Sequence, residues 1–297
     1  MIENYFPKGN ADVILDTDAY NEVDDLVAIS YLLRSSDKLN TVAIYAAPFL
    51  NGKVVSPKDG MEKSCLAIKD MLKMEKRVDI PVFYGSEDYL SSETEPRVSD
   101  AAQDLASRAM SYTSEDPLFV VSIGAITNIA SALLINPEIK ERIVVVWLAG
   151  QPLDYGHNEE FNLCQDIAAA RIIFGSGVKL CSLPAGDVAE AFKFSRPELR
   201  EWLVGNEICE YFVDITIKHM DRLNFSPYTS KVMWDVTAVA WLLNGKCEFM
   251  DAKMIPSPIP EYDRTWTISD DRHLICQVKR INTNKLKRDM IGKLTRR

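Results

Sequence analysis

Five carboxylates fall within ten residues near the N-terminus: Asp16, Asp18, Glu22, Asp24 and Asp25. Asp16-Thr17-Asp18 closes an apolar run that begins at Val13, and Asp24-Asp25 open a stretch with Leu26, Ile29, Leu32 and Leu33 at helical spacing. The carboxyl end of a strand facing the start of a helix is where open α/β sheets bind ligands. Carboxylates crowded there repel one another, and a bound cation would neutralise them. A donor set made only of oxygen points to a hard ion, Ca²⁺ or Mg²⁺. A helix capped by Asp24, with the other acids solvated, is the competing account. It suits one such residue easily and five poorly. The loop is not an EF-hand, because the glycine and the distant glutamate of that motif are missing.

The elements around the cluster follow a regular alternation. Apolar runs at residues 13–16, 41–47, 81–84, 118–123, 143–148 and 178–183 read as strands. Residues 24–34, 61–74, 125–135 and 166–174 read as helices, the third stopped by Asn136-Pro137 and the last closed by Gly175. The strand runs are apolar throughout instead of alternating, which predicts a parallel sheet covered on both faces. The expected fold is α/β, a doubly wound, mostly parallel, Rossmann-like open sheet. Residues 195–220 and 234–244 then read as helices, and residues 248–255 and 265–280 as strands, the latter turning as a hairpin around Asp270-Asp271. These make extra C-terminal helices and a β-hairpin at one edge. With no Gly/Ser linker, repeat or low-complexity tract, residues 1–297 read as a single domain. Residues 284–297 carry six basic side chains against Asp289 and read as a solvated terminal helix.

Composition narrows the function class. Of 297 residues, 47% are hydrophobic and 26% charged, an ordinary globular mix that excludes disordered, collagenous and coiled-coil chains. The 34 basic against 43 acidic residues give a net charge of −9. That is a poor basis for binding nucleic acid or an anionic membrane. Six cysteines without a C-x-x-C pair fit buried thiols in a reducing compartment. The N-terminal residues lack the apolar core of a signal peptide, and no apolar stretch nears the roughly 20 residues of a membrane helix. A soluble cytoplasmic protein is expected.

The acidic motif resembles the N-terminal signature of the nucleoside hydrolases, the inosine–uridine-preferring nucleoside N-ribohydrolase family. Further segments resemble that family in order: Ile123-Gly124-Ala125-Ile126-Thr127-Asn128-Ile129-Ala130, then Glu160-Phe161-Asn162 with Asp166-Ile167-Ala168-Ala169, then Trp234-Asp235-Val236-Thr237-Ala238. The resemblance spans residues 12 to about 245. It implies one Ca²⁺ at the bottom of the pocket, held by Asp18, Asp25, Asp235 and the carbonyl of Ile123, with Mg²⁺ as the alternative ion. It also implies that Asp24, Glu160 and Asn162 bind ribose hydroxyls and that Asp18 is the general base for a metal-bound water. The implied reaction is hydrolysis of a ribonucleoside to free base and ribose, as in purine and pyrimidine salvage, by a homodimer or homotetramer. The chemistry is consistent: N-glycoside cleavage develops a ribosyl cation that nearby carboxylates stabilise.

This chain departs from the family pattern in three places. Five residues, Ala19 to Val23, separate Asp18 from Asp24 where the family has three, so Glu22 or Asn21 could reach the sugar. Tyr45-Ala46-Ala47-Pro48-Phe49 replaces a Gly-Asn after the second strand, and Tyr45 or Phe49 could stack on a base. Trp234 stands where many members have a histidine proposed to protonate the leaving base. The acid must then come from elsewhere: His157, three residues before Glu160, is the best placed of three histidines, ahead of His219 and Tyr228, or Trp234 stacks on the base to raise its basicity. Two other readings compete. A non-catalytic nucleoside- or ribose-binding protein could keep the same fold, and Asp16-Thr17-Asp18 also fits a haloacid-dehalogenase-type phosphatase. Against the latter, Tyr20 stands where that family needs Thr or Val.

Overall fold

A computed structural model describes residues 2–245 and 248–296. Cys247, one of the six cysteines, lies outside the described residues, and the other five are free thiols.

The chain runs β1 (Ala11–Thr17), α1 (Asp24–Leu33), β2 (Leu39–Ala46), α2 (Pro57–Met74), β3 (Val82–Tyr84), α3 (Asp100–Arg108), β4 (Leu118–Ser122), α4 (Thr127–Ile135), β5 (Ile143–Leu148), α5 (Phe161–Gln165), α6 (Ile167–Gly175) and β6 (Lys179–Leu183). It continues through β7 (Lys193–Phe194), α7 (Arg196–Trp202), α8 (Glu207–Arg222), β8 (Lys231–Val232), α9 (Val236–Leu242), β9 (Met250–Pro256), β10 (Ile259–Pro260), β11 (Trp266–Thr267), β12 (Leu274–Ile281) and α10 (Thr283–Leu294). The main sheet has eight strands in the order β3-β2-β1-β4-β5-β6-β12-β9. All neighbours are parallel except β12 and β9. The doubly wound α/β fold is therefore as expected.

Alternate residues of each central strand feed opposite faces. Val13 and Leu15 join one buried cluster with residues of α1, α2, α8, α9 and α10, whereas Ile14 joins a second with residues of α3, α4 and α6. Both faces exclude water, which is why the strands read as unbroken apolar runs. Helix starts are marked by side-chain caps: Ser56 on α2, Asp166 on α6 and Asn206 on α8 each accept a first-turn amide.

Three expectations are revised. Residues 195–220 form two helices, with Asn206 capping the second. The C-terminal strand pair is not a hairpin around Asp270-Asp271. Instead β12 pairs with β9, and the small β10–β11 hairpin lies between them in sequence. β12 also lies parallel to β6, so the pair extends the main sheet. The terminal helix is not merely solvated: Leu286, Met290 and Leu294 of α10 are buried, and Lys293 lies over the Tyr31 ring. Helix α3, capped by Ser99, has no counterpart in the expected elements. Among the described residues, no helix is long and apolar enough to cross a membrane.

Candidate active site

The strand order reverses at β1, whose neighbours are β2 and β4. That reversal opens a crevice at the carboxyl ends of β1 and β4. Asp16-Thr17-Asp18 leaves β1 there and Ile123 leaves β4 there, with the Ile123 amide donating to the Asp16 carbonyl at 2.9 Å. A cavity of about 400 Å³ occupies the crevice. Asp18, Asp24, Asp25, Ile123, Glu160, Asn162, Trp234, Asp235 and Glu22 all line it. These segments are far apart in sequence, and the sheet edge brings them to one wall.

Each acid has distinct surroundings. Asp18 Oδ2 accepts Asn21 Nδ2 at 3.0 Å, and Asp25 Oδ1 accepts Thr17 Oγ1 at 2.6 Å. Burial raises Asp18 well above the carboxylate range, and Asp25 repels it further. Burial and the Asp24 charge push Asp25 up to about 7. Asp235 is likewise raised by burial and by the charges of Asp25, Asp24 and Asp18. Asp24 behaves differently. Burial alone would raise it, but the Lys231 ammonium, 2.8 Å from its Oδ1, holds it below the usual range. Lys231 is itself only 3% exposed and is shared with Glu22 Oε2, also at 2.8 Å.

A second tier of side chains fixes this wall. Asp16 takes no part in lining the cavity; it accepts Ser122 Oγ at 3.0 Å and Asn128 Nδ2 at 2.8 Å, and burial pushes it up to about 7. Asn128 also donates to the Ala46 carbonyl and accepts the Ser86 amide, so it ties β1, β2 and the segment after β3 together. Gly124 follows Ile123 because a Cβ there would stand 3.3 Å from Asp18 Cγ. Glu160 caps α5, its carboxylate accepting the amides of Asn162, Leu163 and Gly150 at 2.9–3.0 Å. Gly150 adopts φ +75°, a conformation that favours glycine. Asn162 Nδ2 donates to the carbonyls of Ile123 at 3.3 Å and Leu148 at 3.0 Å.

Several sequence candidates lie elsewhere. His157 does not reach the cavity: it is exposed, its Nδ1 accepts the Glu159 amide, and its ring packs against Tyr155. Tyr228 is 96% exposed and lines no part of the cavity. Tyr45 and Phe49 are fully buried packing residues, with the Tyr45 hydroxyl donating to Asp104 at 2.6 Å. His219 is buried in the wall of a neighbouring cavity. Conversely, Lys231, Asn51 and Gln151 were not expected at the site. Lys231 precedes Asp235 by four residues, but a lone lysine carries no signal of burial in sequence. Asn51 joins the wall and donates to Asn21 Oδ1 at 2.7 Å, near the place of the missing Gly-Asn.

No three of the described His, Cys, Asp or Glu side chains already converge as a coordination group. The chemistry of the donors nevertheless suits a hard cation. Asp25 raises Asp18, Asp24 and Glu22 raise Asp25, and Asp25, Asp24 and Asp18 all raise Asp235, while the Lys231 ammonium beside them is committed to Asp24 and Glu22. Buried carboxylates left in mutual repulsion are what a divalent ion relieves.

Comparison with known proteins agrees with this geometry. The profile of the inosine-uridine preferring nucleoside hydrolases matches residues 13–288. The chain belongs to that family. It is 27% identical over 269 residues to the pyrimidine-specific ribonucleoside hydrolase RihA of Salmonella arizonae, covering 79% of this chain and 80% of that one. Its fold is similar to that of a purine-preferring ribonucleoside hydrolase from Gardnerella vaginalis, with a TM-score of 0.78 at 19% identity over 96% and 98% of the two chains. The type III effector protein XopQ, solved with adenosine diphosphate ribose, is similar with a TM-score of 0.69 at 15% identity over 98% and 95%. The protein is a nucleoside N-ribohydrolase, an enzyme that cleaves the N-glycosidic bond of small-molecule ribonucleosides.

Proposed function

We propose that the acidic cavity is the catalytic centre, releasing free base and ribose, with Asp18 as the base that takes a proton from the attacking water. The observation that carries this reading is the convergence of Asp18, Asp24, Asp25 and Asp235 on one buried wall beside Glu160 and Asn162. Bond cleavage places positive charge on the ribosyl ring, and fixed carboxylates in a dry site stabilise it strongly. Asp24, Glu160 and Asn162 orient the ribose hydroxyls, which removes much of the orientational cost of reaction. Glu22 acts from further out, through Lys231. Asp18, Asp25, Asp235 and the Ile123 carbonyl are the groups that would hold Ca²⁺, with Mg²⁺ as the alternative. When bound, the cation would offset the carboxylate repulsion, orient the sugar diol and acidify water.

Among the described residues no histidine lines the cavity, so the histidine common in the family has no counterpart on this wall to protonate the departing base. Trp234, which lines the wall along with Phe161, is able to stack on the base and favour its protonation from solvent. The relatives' names include both pyrimidine and purine specificity, so the base is best identified by assay. Ribose release is to be measured on a panel of purine, pyrimidine and nicotinamide ribosides, with Ca²⁺ and after chelation and dialysis. Chelator-sensitive release from one class supports the assignment. Release unaffected by chelation would overturn the cation's role. No release from any riboside, with ligand binding retained, would favour a nucleoside-binding protein of the same fold.

A further inference from the structure

A second cavity, of about 580 Å³, lies across the Ala19–Val23 loop from the acidic one. Asn21 and Glu22 line both, so this loop is the partition between them. The loop is two residues longer than the family's usual spacing. It is pinned by cations: Lys53 Nζ donates to the Asn21 carbonyl, and Lys231 pairs with Glu22.

The second cavity has two unlike halves. Between α1, α2 and α8 it is apolar, with Leu26, Met71, Met74 and Ile215 and the ring of Tyr211. Beside the partition it is basic, with Lys53, Arg222 and His219. Among the described residues no carboxylate stands within 4 Å of Lys53 or Arg222, although most other cations near the cavity are paired: Lys63 with Asp59, Lys218 with Asp214. The Arg222 guanidinium lies 3.3 Å from His219 Nδ1, which as the acceptor leaves Nε2 carrying the imidazole proton. That Nε2 is buried and has no partner, in a residue only 6% exposed. Burial, then Lys231, Lys53 and Arg222, push His219 down to about 4, so the ring is neutral and the Nε2 hydrogen is a standing donor. An ammonium and a guanidinium without a carboxylate partner among the described residues, one held by the Asn21 carbonyl and the other by the His219 ring, share one corner with an orphaned ring N–H in a chain whose net charge is −9. Together they are a ready receptor for phosphate oxygens. The Glu22 carboxylate on the same wall is offset by Lys231 at 2.8 Å, so it does not repel such a group unopposed.

We propose that this corner binds the phosphate arm of a phosphorylated riboside whose ribose occupies the acidic cavity, with the apolar half of the second cavity taking the group beyond the phosphates. This rests on the ribose-binding reading of the acidic cavity and extends it to a substrate class, nucleotides or nucleoside diphosphates carrying a second group.

Adenosine diphosphate ribose is a suitable probe, because a pyrophosphate joins its two ribosides. Its affinity and that of adenosine are to be measured calorimetrically on the full chain, in wild type, Arg222→Gln and Arg222→Lys. The readout is the ratio of the two affinities within each protein, which a general loss of folding does not imitate. The expected wild-type ratio is tenfold or more in favour of the diphosphate, collapsing towards unity in Arg222→Gln and partly kept in Arg222→Lys. A wild-type ratio near unity overturns the proposal. So does a high ratio that Arg222→Gln leaves unchanged, because the phosphates would then sit elsewhere. Binding is read without turnover, so a tenfold ratio leaves this inference standing whichever ribosides release ribose, and the riboside panel tests the hydrolytic reading separately.

Discussion

The two cavities that flank residues 19–23 are opposites in charge and in how the chain builds them. The acidic one is made of strand ends and helix starts, where topology forces ligand-facing groups together at the switch point of the sheet. Its main residues sit in short motifs: Asp18, Asp24 and Asp25 within eight positions, Glu160 and Asn162 within three. The basic one is made of helix flanks. Lys53 precedes α2, whereas His219 and Arg222 end α8, more than 160 positions away. A site at a strand end leaves a local mark in sequence; a site between helix flanks is assembled only by packing.

The sharpest test of the contrast is to remove the acid assigned as base. Asp18→Asn keeps the shape and the Asn21 contact region but cannot accept a proton. The expected loss in kcat is of the order of 10²–10⁴-fold, the usual contribution of general base catalysis. It is read by ribose release under saturating riboside, while the affinity ratio that reports on the basic pocket stays unchanged. Activity near wild type would show that Asp18 is not the base.

Next in size is Lys231, the residue that joins the two regions. It neutralises Asp24 inside the acidic wall and braces Glu22 on the partition. Lys231→Met leaves Asp24 buried and unpaired, and breaking a buried pair from one side costs about 3–5 kcal/mol. Denaturant unfolding should show that loss, and Lys231→Met combined with Asp24→Asn should recover most of it. A single variant as stable as wild type would mean that solvent or another group already neutralises Asp24.

These residues also mark how far the sequence could be read. The doubly wound sheet was legible because buried parallel strands leave unbroken apolar runs, and Val13–Leu15 and Ile143–Leu148 are such runs. The acidic wall was legible because five acids at one strand end resist an ordinary explanation. Asp235 stood out only through its place in a series of family-like segments, since alone it reads as a helix cap. Lys231 was not legible: burial of a lysine depends on acids 200 residues earlier. His157 failed in the other direction, since closeness to Glu160 in sequence does not aim a loop side chain into a cavity. The strand pair β9 and β12 was mistaken locally for the same reason, because the polar Asp270-Asp271 suggested a turn while the true partner of β12 begins more than twenty residues upstream.

The smallest effect concerns His219 and pH. In the folded protein this ring is pushed from 6.5 down to about 4 by burial and by Lys231, Lys53 and Arg222, with Asp24 opposing weakly. In the unfolded chain it titrates near 6.5. Between those values the unfolded state binds the extra proton, so stability falls as pH drops from about 6.5 towards 4 and this contribution levels off below that. The raised carboxylates Asp18, Asp25 and Asp235 work in the opposite direction over the same range, since their folded forms bind protons more readily. The wild-type curve alone therefore does not isolate the histidine. The difference between wild type and His219→Gln does: it should favour wild type near pH 7 and shift towards the variant by about 1–3 kcal/mol by pH 4. A difference that stays flat with pH would mean that the ring is reached by water. Its Nε2 hydrogen would then already be satisfied, and the basic corner would lose the donor that distinguishes it from two ordinary surface cations.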